Sequence, residues 1–136
     1  MTDRPAAMHA APIVAVSDLD RARTFYEDQL GLEGSASAGG GWTLTADHGT
    51  VVNLLPGVDD AGSATWPVAT FLVDDASAVV RALHARGVPF LGPDDIPFDL
   101  DADGVSSDDS GTRVAWMRDP DGNILTVYSV RPEGAA

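Results

Sequence analysis

A chain of 136 residues suffices for one compact domain that buries roughly two-thirds of its surface. Twenty-one acidic residues against eight arginines and no lysine give a net charge of −13, which repels phosphate backbones and anionic membranes and favours a cationic ligand or partner. Cysteine is absent, which excludes disulfides, thiolate metal sites and a cysteine nucleophile.

Residues 1–10 read as a small-residue, polar arm, expected to be poorly ordered. They lack the basic-then-apolar order of a secretory signal, and no apolar run nears the ~20 residues of a membrane span. A cytoplasmic protein is expected. Pro12–Val16 is a short β-prone run. Ser17 or Asp18 then caps a helix whose apolar positions Leu19, Ala22, Phe25, Tyr26 and Leu30 keep helical spacing, with Gly31 at its end. Strands follow near residues 33–38, 42–47 and 50–55, broken by Gly39-Gly40-Gly41 and Asp47-His48-Gly49. Residues 57–66 form a linker of Gly, Asp, Ser and Ala.

The plan then repeats. Pro67–Val73 is β-prone, Asp74 or Asp75 caps a second helix, and Ala76, Val79, Val80 and Leu83 form its apolar stripe up to Gly87. Val88–Leu91 reads as a strand. Residues 93–111 are acidic with little periodicity. Residues 112–117 and 124–128 are β-formers flanking Asp119-Pro120-Asp121-Gly122-Asn123, where Pro120 presets one backbone angle and Gly122 supplies a positive φ: a hairpin. Two copies of strand, helix and meander follow, with module one at about 11–56 and module two at about 67–130 of a single domain. A helix covers one face of each small sheet, and the other face must be covered or enclose something.

The ordered set Val16-Ser17-Asp18-Leu19-Asp20-Arg21-Ala22, Phe25-Tyr26 and Leu30-Gly31-Leu32, followed by Val73-Asp74-Asp75, Gly87-Val88 and the Asp119–Asn123 turn, resembles the vicinal-oxygen-chelate superfamily. That superfamily includes glyoxalase I, extradiol dioxygenases and bleomycin-resistance proteins. The resemblance implies an α+β fold of two βαβββ modules that form a cupped mixed sheet with a ligand cleft, within a homodimer. Carried onto this chain, the metal-ligand positions of the superfamily's enzymes fall on Ala11, Asn53, Val68 and Thr126. Ala, Val and Thr supply neither imidazole nor carboxylate, and a neutral Asn is a poor replacement. His9 shares strand parity with Ala11 but lies about 7 Å along the strand. His48 and His84 fall on a turn and a helix. No metal or other cofactor is expected.

Other chemistry is thin. Asp99-Leu100-Asp101-Ala102-Asp103-Gly104 has the opening of a calcium loop, but its twelfth position is Ser110 rather than Glu. A flexible acidic loop over the cleft mouth is the better reading, with Asp99, Asp101, Asp103, Asp108 and Asp109 drawing in a cation. No serine has a nucleophile-elbow context, and no glycine-rich loop opens a helix after a strand. The expected ligand-binding residues are the aromatics Trp42, Trp66, Phe98, Trp116 and Tyr128, with Asn53, Thr70 and Thr126 fixing orientation. Arg113 and Arg118 read as surface or hairpin charges, available to an acidic ligand group. The sequence therefore points to metal-independent binding of a small hydrophobic or aromatic molecule, with antibiotic sequestration as the role the resemblance suggests. The alternatives are a glyoxalase-type metal-dependent lyase, isomerase or dioxygenase, and a non-catalytic partner or metal-free tailoring protein.

Overall fold

The computed structural model describes residues 5–130. The first four residues of the expected arm and the tail from Arg131 lie outside that span. The first module comprises β1 (Ile13–Ala15), α1 (Leu19–Arg23), β2 (Glu33–Ala36), β3 (Trp42–Thr45) and β4 (Val51–Leu55). Its strands lie in the order β1-β4-β3-β2, with β1 parallel to β4 and the remaining pairs antiparallel. Asp18, not Ser17, caps α1: its Oδ1 accepts from the Arg21 N–H at 3.1 Å, satisfying one of the donors a helix start leaves unpaired.

The first helix is not α-helical to its end. Past Arg23 it widens into a π-helical segment over Thr24–Gln29, and the Leu30 N–H reaches back to the Phe25 carbonyl at 3.0 Å. In the wider turn Phe25 and Tyr26 are both buried, packed edge to face at 4.9 Å. Gly31 and Gly87, with φ of 80° and 82°, close the two helical segments as the sequence suggested.

The second module comprises β5 (Pro67–Leu72), α2 (Ala76–Ala85), β6 (Ser106–Ser107), β7 (Arg113–Arg118) and β8 (Ile124–Ser129), in the order β5-β8-β7-β6. Asp75 caps α2 through the Ala78 N–H. Here the meander departs from expectation. Val88–Leu91 is not a strand and makes a single antiparallel bridge, Phe90 to Met117. The strand beside the early part of β7 is instead β6, inside the supposedly featureless acidic stretch, with Ser106 opposite Val114. The Leu91 N–H bonds the Trp116 carbonyl and the Arg118 N–H bonds the Pro89 carbonyl. One edge strand is thus laid down in two pieces along β7, and residues 92–105 leave the sheet between them.

Strand alternation sets the faces. Val14, Leu44, Val52 and Leu54 from the first sheet, and Met117, Leu125 and Val127 from the second, turn toward the helices and join Phe25, Tyr26 and Leu83 in one shared core. The opposite faces stay open, carrying Ile13 (67% exposed) and Leu55 on one sheet and Leu72 (69%) on the other. Among the described residues no helix is long and apolar enough to cross a membrane.

The 119–123 turn does more than connect two strands. The Gly122 N–H bonds the Asp119 carbonyl and Gly122 takes φ +90°. The Asp119 carboxylate is buried and accepts four hydrogen bonds, from the Asp121 and Asn123 N–H groups, the Asn123 amide and the Tyr26 hydroxyl at 2.7 Å. The Asn123 amide also donates to the Ala15 carbonyl at 2.8 Å. Asp121 accepts from the Ser17 hydroxyl and N–H and from Arg21. Ser17, one of the two expected caps, is therefore occupied here. The turn fastens the second module to the start of the first.

The linker is pinned to the same turn. Gly62 (φ +83°) lies so close to it that a Cβ at this position would sit 1.8 Å from the Asp121 carbonyl oxygen. Only glycine fits.

Candidate functional site

On β7, Ala115 and Met117 are buried against the helix side, so Val114, Trp116 and Arg118 face the open side of the second sheet. Register places Ile124 opposite Arg118, Thr126 opposite Trp116 and Tyr128 opposite Val114; across β8, Thr70 lies opposite Thr126 and Leu72 opposite Tyr128. These residues make one continuous surface.

The 92–105 excursion folds over one end of it. Ile96 anchors the excursion, 9% exposed, and the Asp95 carboxylate holds its bend by accepting from the Gly92 N–H at 3.2 Å. The Phe98 ring is thereby laid over the Trp116 indole, nearly parallel to it at 16° with centroids 5.8 Å apart. Together they wall a cavity of about 440 Å³, within the range of small-molecule sites. Leu91, Pro67 and Ile124 add apolar surface, and the linker segment Gly62–Thr65 closes another side. The turn that pins Gly62 therefore also positions a wall of the cavity.

Two charged side chains line it, Asp95 and Arg118. The Arg118 guanidinium donates to the Gly122 carbonyl at 3.1 Å. Among the described residues the ion pairs are Arg21–Asp121, Arg23–Glu27 and Arg81–Asp103, so no described carboxylate lies within salt-bridge distance of Arg118.

Of the sequence-predicted site residues, the structure brings Phe98 and Trp116 together in the cavity wall and leaves Thr70, Thr126 and Tyr128 on the sheet face beyond it. Trp66, 63% exposed, precedes the lining residue Pro67. Asn53 lies on the open face of the other sheet, where its Oδ1 accepts from the Thr43 hydroxyl at 2.9 Å. Trp42 lies elsewhere. Opposite the buried Leu54, it faces the helix side of its sheet and donates to Glu27 at 3.0 Å, while the Arg23 guanidinium sits 4.0 Å from its ring centroid. Hydrogen bonding from Arg23, more than from Trp42, holds the Glu27 carboxyl below the ordinary glutamate range. Trp42 packs a helix onto a sheet.

The acidic loop also has a different character. None of Asp99, Asp101, Asp103, Asp108 and Asp109 lines the cavity. The Asp101 carboxylate accepts from the Asp103 and Val105 N–H groups, and Asp103 pairs with Arg81 at 2.9 Å. Asp108 accepts from the Ser110 hydroxyl and the Ser110 and Thr112 N–H groups, which together hold its carboxyl below the usual range, the hydroxyl most strongly. Asp101 and Asp108 shape the loop itself, and Asp103 ties it to α2. Sequence reasoning missed Asp95 and the Gly62–Thr65 wall; Gly62 was the one signal for the wall.

The four positions carried over from metal-dependent enzymes do not assemble a donor set. Ala11 precedes β1, Asn53 is bonded to Thr43, Val68 packs against the hydrophobic core at an irregularity in β5, and Thr126 is a buried hydroxyl. Among the described residues no group of three His, Cys, Asp or Glu side chains is placed to hold a metal ion. The residues at these positions do not fit a metal ion.

Comparison with known proteins gives the family. Among curated proteins none is similar enough in sequence to count as a relative. Among solved structures, TnmS3, an antibiotic binding protein from Streptomyces sp. CB03234, superposes with a TM-score of 0.69 at 23% identity, over 95% of this chain and 100% of that one. A glyoxalase/bleomycin resistance protein from Catenulispora acidiphila gives 0.68 at 21% identity, over 92% and 100%. An integron cassette protein from the mobile metagenome of V. cholerae gives 0.64 at 20%, over 94% and 98%. These likenesses establish the paired-module fold. The family model for the Glyoxalase/Bleomycin resistance protein/Dioxygenase superfamily matches residues 7–127, and the chain belongs to that superfamily.

Proposed function

We propose that this protein binds a small hydrophobic or aromatic molecule without a metal ion, and that its role is antibiotic sequestration, for resistance or self-protection. The observation that carries the reading is the cavity walled by the near-parallel Phe98 and Trp116 rings. A flat ligand gains apolar burial there, and stacking adds roughly 1 kcal/mol per aromatic contact. The rings are 5.8 Å apart, too close to admit a third ring between them, so the ligand packs against the surface the pair turns to the cavity. The description of TnmS3 as an antibiotic binding protein supports the choice of ligand class.

The open apolar side chains Ile13, Leu55, Trp66 and Leu72 support a homodimer in which a second copy covers these sheet faces. The setting proposed is the cytoplasm, since a cysteine-free fold needs no oxidising compartment. Titration with a panel of polycyclic and glycopeptide antibiotics, followed by tryptophan fluorescence, tests the reading. A saturable change for a polycyclic compound, lost in Trp116→Ala, is expected. A flat response across the panel in both proteins refutes it.

A further inference from the structure

Resting on that reading, we infer that Arg118 selects the ligand: the cavity takes a flat aromatic molecule whose edge carries an anionic oxygen, an aryl carboxylate or ionised phenol, rather than a cation. Composition suggests the opposite, because a net charge of −13 favours cations. But that field belongs to the whole surface and is largely screened beyond about 10 Å at 0.1 M salt. Contact chemistry is local, and the acids are not where composition alone would put them. The five carboxylates expected at the mouth line no part of the cavity; Asp101 and Asp108 are spent on the loop's own hydrogen bonds, and Asp103 on Arg81 of α2.

What does line the cavity is a guanidinium with one hydrogen bond to a carbonyl and no described carboxylate in reach. A guanidinium offers five N–H donors in a planar fork, so most of Arg118 remains open to a ligand oxygen. Its backbone is fixed on a rigid strand opposite Ile124 and next but one to Trp116. A ring packed against the Trp116–Phe98 pair in the cavity therefore has its edge within the span of the arginine side chain. Asp95 is the competing acid in the same cavity, but its Oδ2 already accepts from the Gly92 N–H at the bend of the excursion.

Three matched probes test this by calorimetric titration: anthracene-2-carboxylate, its neutral carboxamide and the corresponding methylammonium. The carboxylate is expected to bind about tenfold more tightly than the amide, the scale of one charge-assisted contact at an open site, and the ammonium more weakly than either. Arg118→Gln should bring acid and amide to within about twofold of each other, the acid losing most of its affinity. Arg118→Lys, which keeps charge without the fork, should keep part of the preference, and Asp95→Asn should raise carboxylate affinity two- to threefold. Equal binding of all three probes to the wild type, or a preference beyond about twofold in a folded Arg118→Gln protein, overturns the inference and leaves the aromatic cleft standing. Binding of none of the three overturns the cleft and the inference together.

Discussion

Removing the Tyr26 hydroxyl should loosen the joint between the two modules. In the folded protein that hydroxyl is fully buried and donates to the Asp119 carboxylate at 2.7 Å across 93 residues of sequence. A hydrogen bond to a charged acceptor contributes roughly 1.5–3 kcal/mol net, and more is lost when a buried partner is left unsatisfied. In Tyr26→Phe the carboxylate keeps three donors, the Asp121 and Asn123 N–H groups and the Asn123 amide, so the loss should stay near the simple value of about 2 kcal/mol. Asp119→Ala is worse, because it strands the buried phenol and removes the acceptor that shapes the turn; about 4 kcal/mol is expected. Against a total stability of roughly 5–15 kcal/mol, the second change endangers the fold and the first does not. Urea unfolding of the wild type, both single variants and the double variant measures the coupling. A coupling energy of about 1.5–2 kcal/mol is expected. Tyr26→Phe within about 0.5 kcal/mol of wild type would refute the assignment of the turn as a joint, since a bond of this burial and length contributes more.

The same pair makes stability depend on alkaline pH. Burial first, then the charge and hydrogen bond of Asp119, raise the Tyr26 phenol above its ordinary value. A raised value in the folded state gives a contribution fully present below the unfolded value of about 10 and lost as pH rises above it, so Tyr26→Phe should show a shallower stability loss above that pH. Gly62→Ala should destabilise by about 2 kcal/mol or more by thermal unfolding, since its Cβ would meet the Asp121 carbonyl at 1.8 Å and an L-residue at φ +83° is strained. It should also weaken ligand binding by displacing a cavity wall. Trp42→Phe should lower stability by about 1 kcal/mol through loss of the Glu27 hydrogen bond, yet leave ligand affinity unchanged. Phe98→Ala should do the reverse, weakening an aromatic ligand by about fivefold with little effect on unfolding, because the ring is 58% exposed.

The contrast between Trp42 and Trp116 shows how far the site could be read from the chain. Both are tryptophans in β-prone runs, and composition cannot distinguish them. Strand parity does. Trp42 is in register with Leu54, on the helix side, whereas Trp116 stands between Ala115 and Met117, whose burial turns the indole outward. Parity needs a register, and the register of β3 depends on where the Gly39-Gly40-Gly41 turn places its first pair, Ala36 with Trp42. The duplicated plan was easier to see, because helix caps, closing glycines and the 119–123 turn are local signals that act over a few residues. Asp18 and Asp75 show this, each capping through the N–H three residues on.

The cavity depends on a long-range fact that no local signal carries. The edge strand of the second sheet is interrupted, with Phe90 bridging Met117 on one side of the break and Ser106 opposite Val114 on the other. The acidic stretch looked structureless because only two of its residues form strand, and periodicity cannot register so short a piece. Yet the break is what frees residues 92–105 to carry Phe98 across the open sheet. The first module has the same strand order with an uninterrupted β2, and among the described residues no aromatic pair arches over Asn53. Two similar modules therefore present unlike open faces. The asymmetry that makes a binding site arises where the second copy departs from the shared plan, and Arg118 stands at that departure, its N–H bonded to Pro89 and its side chain in the cavity.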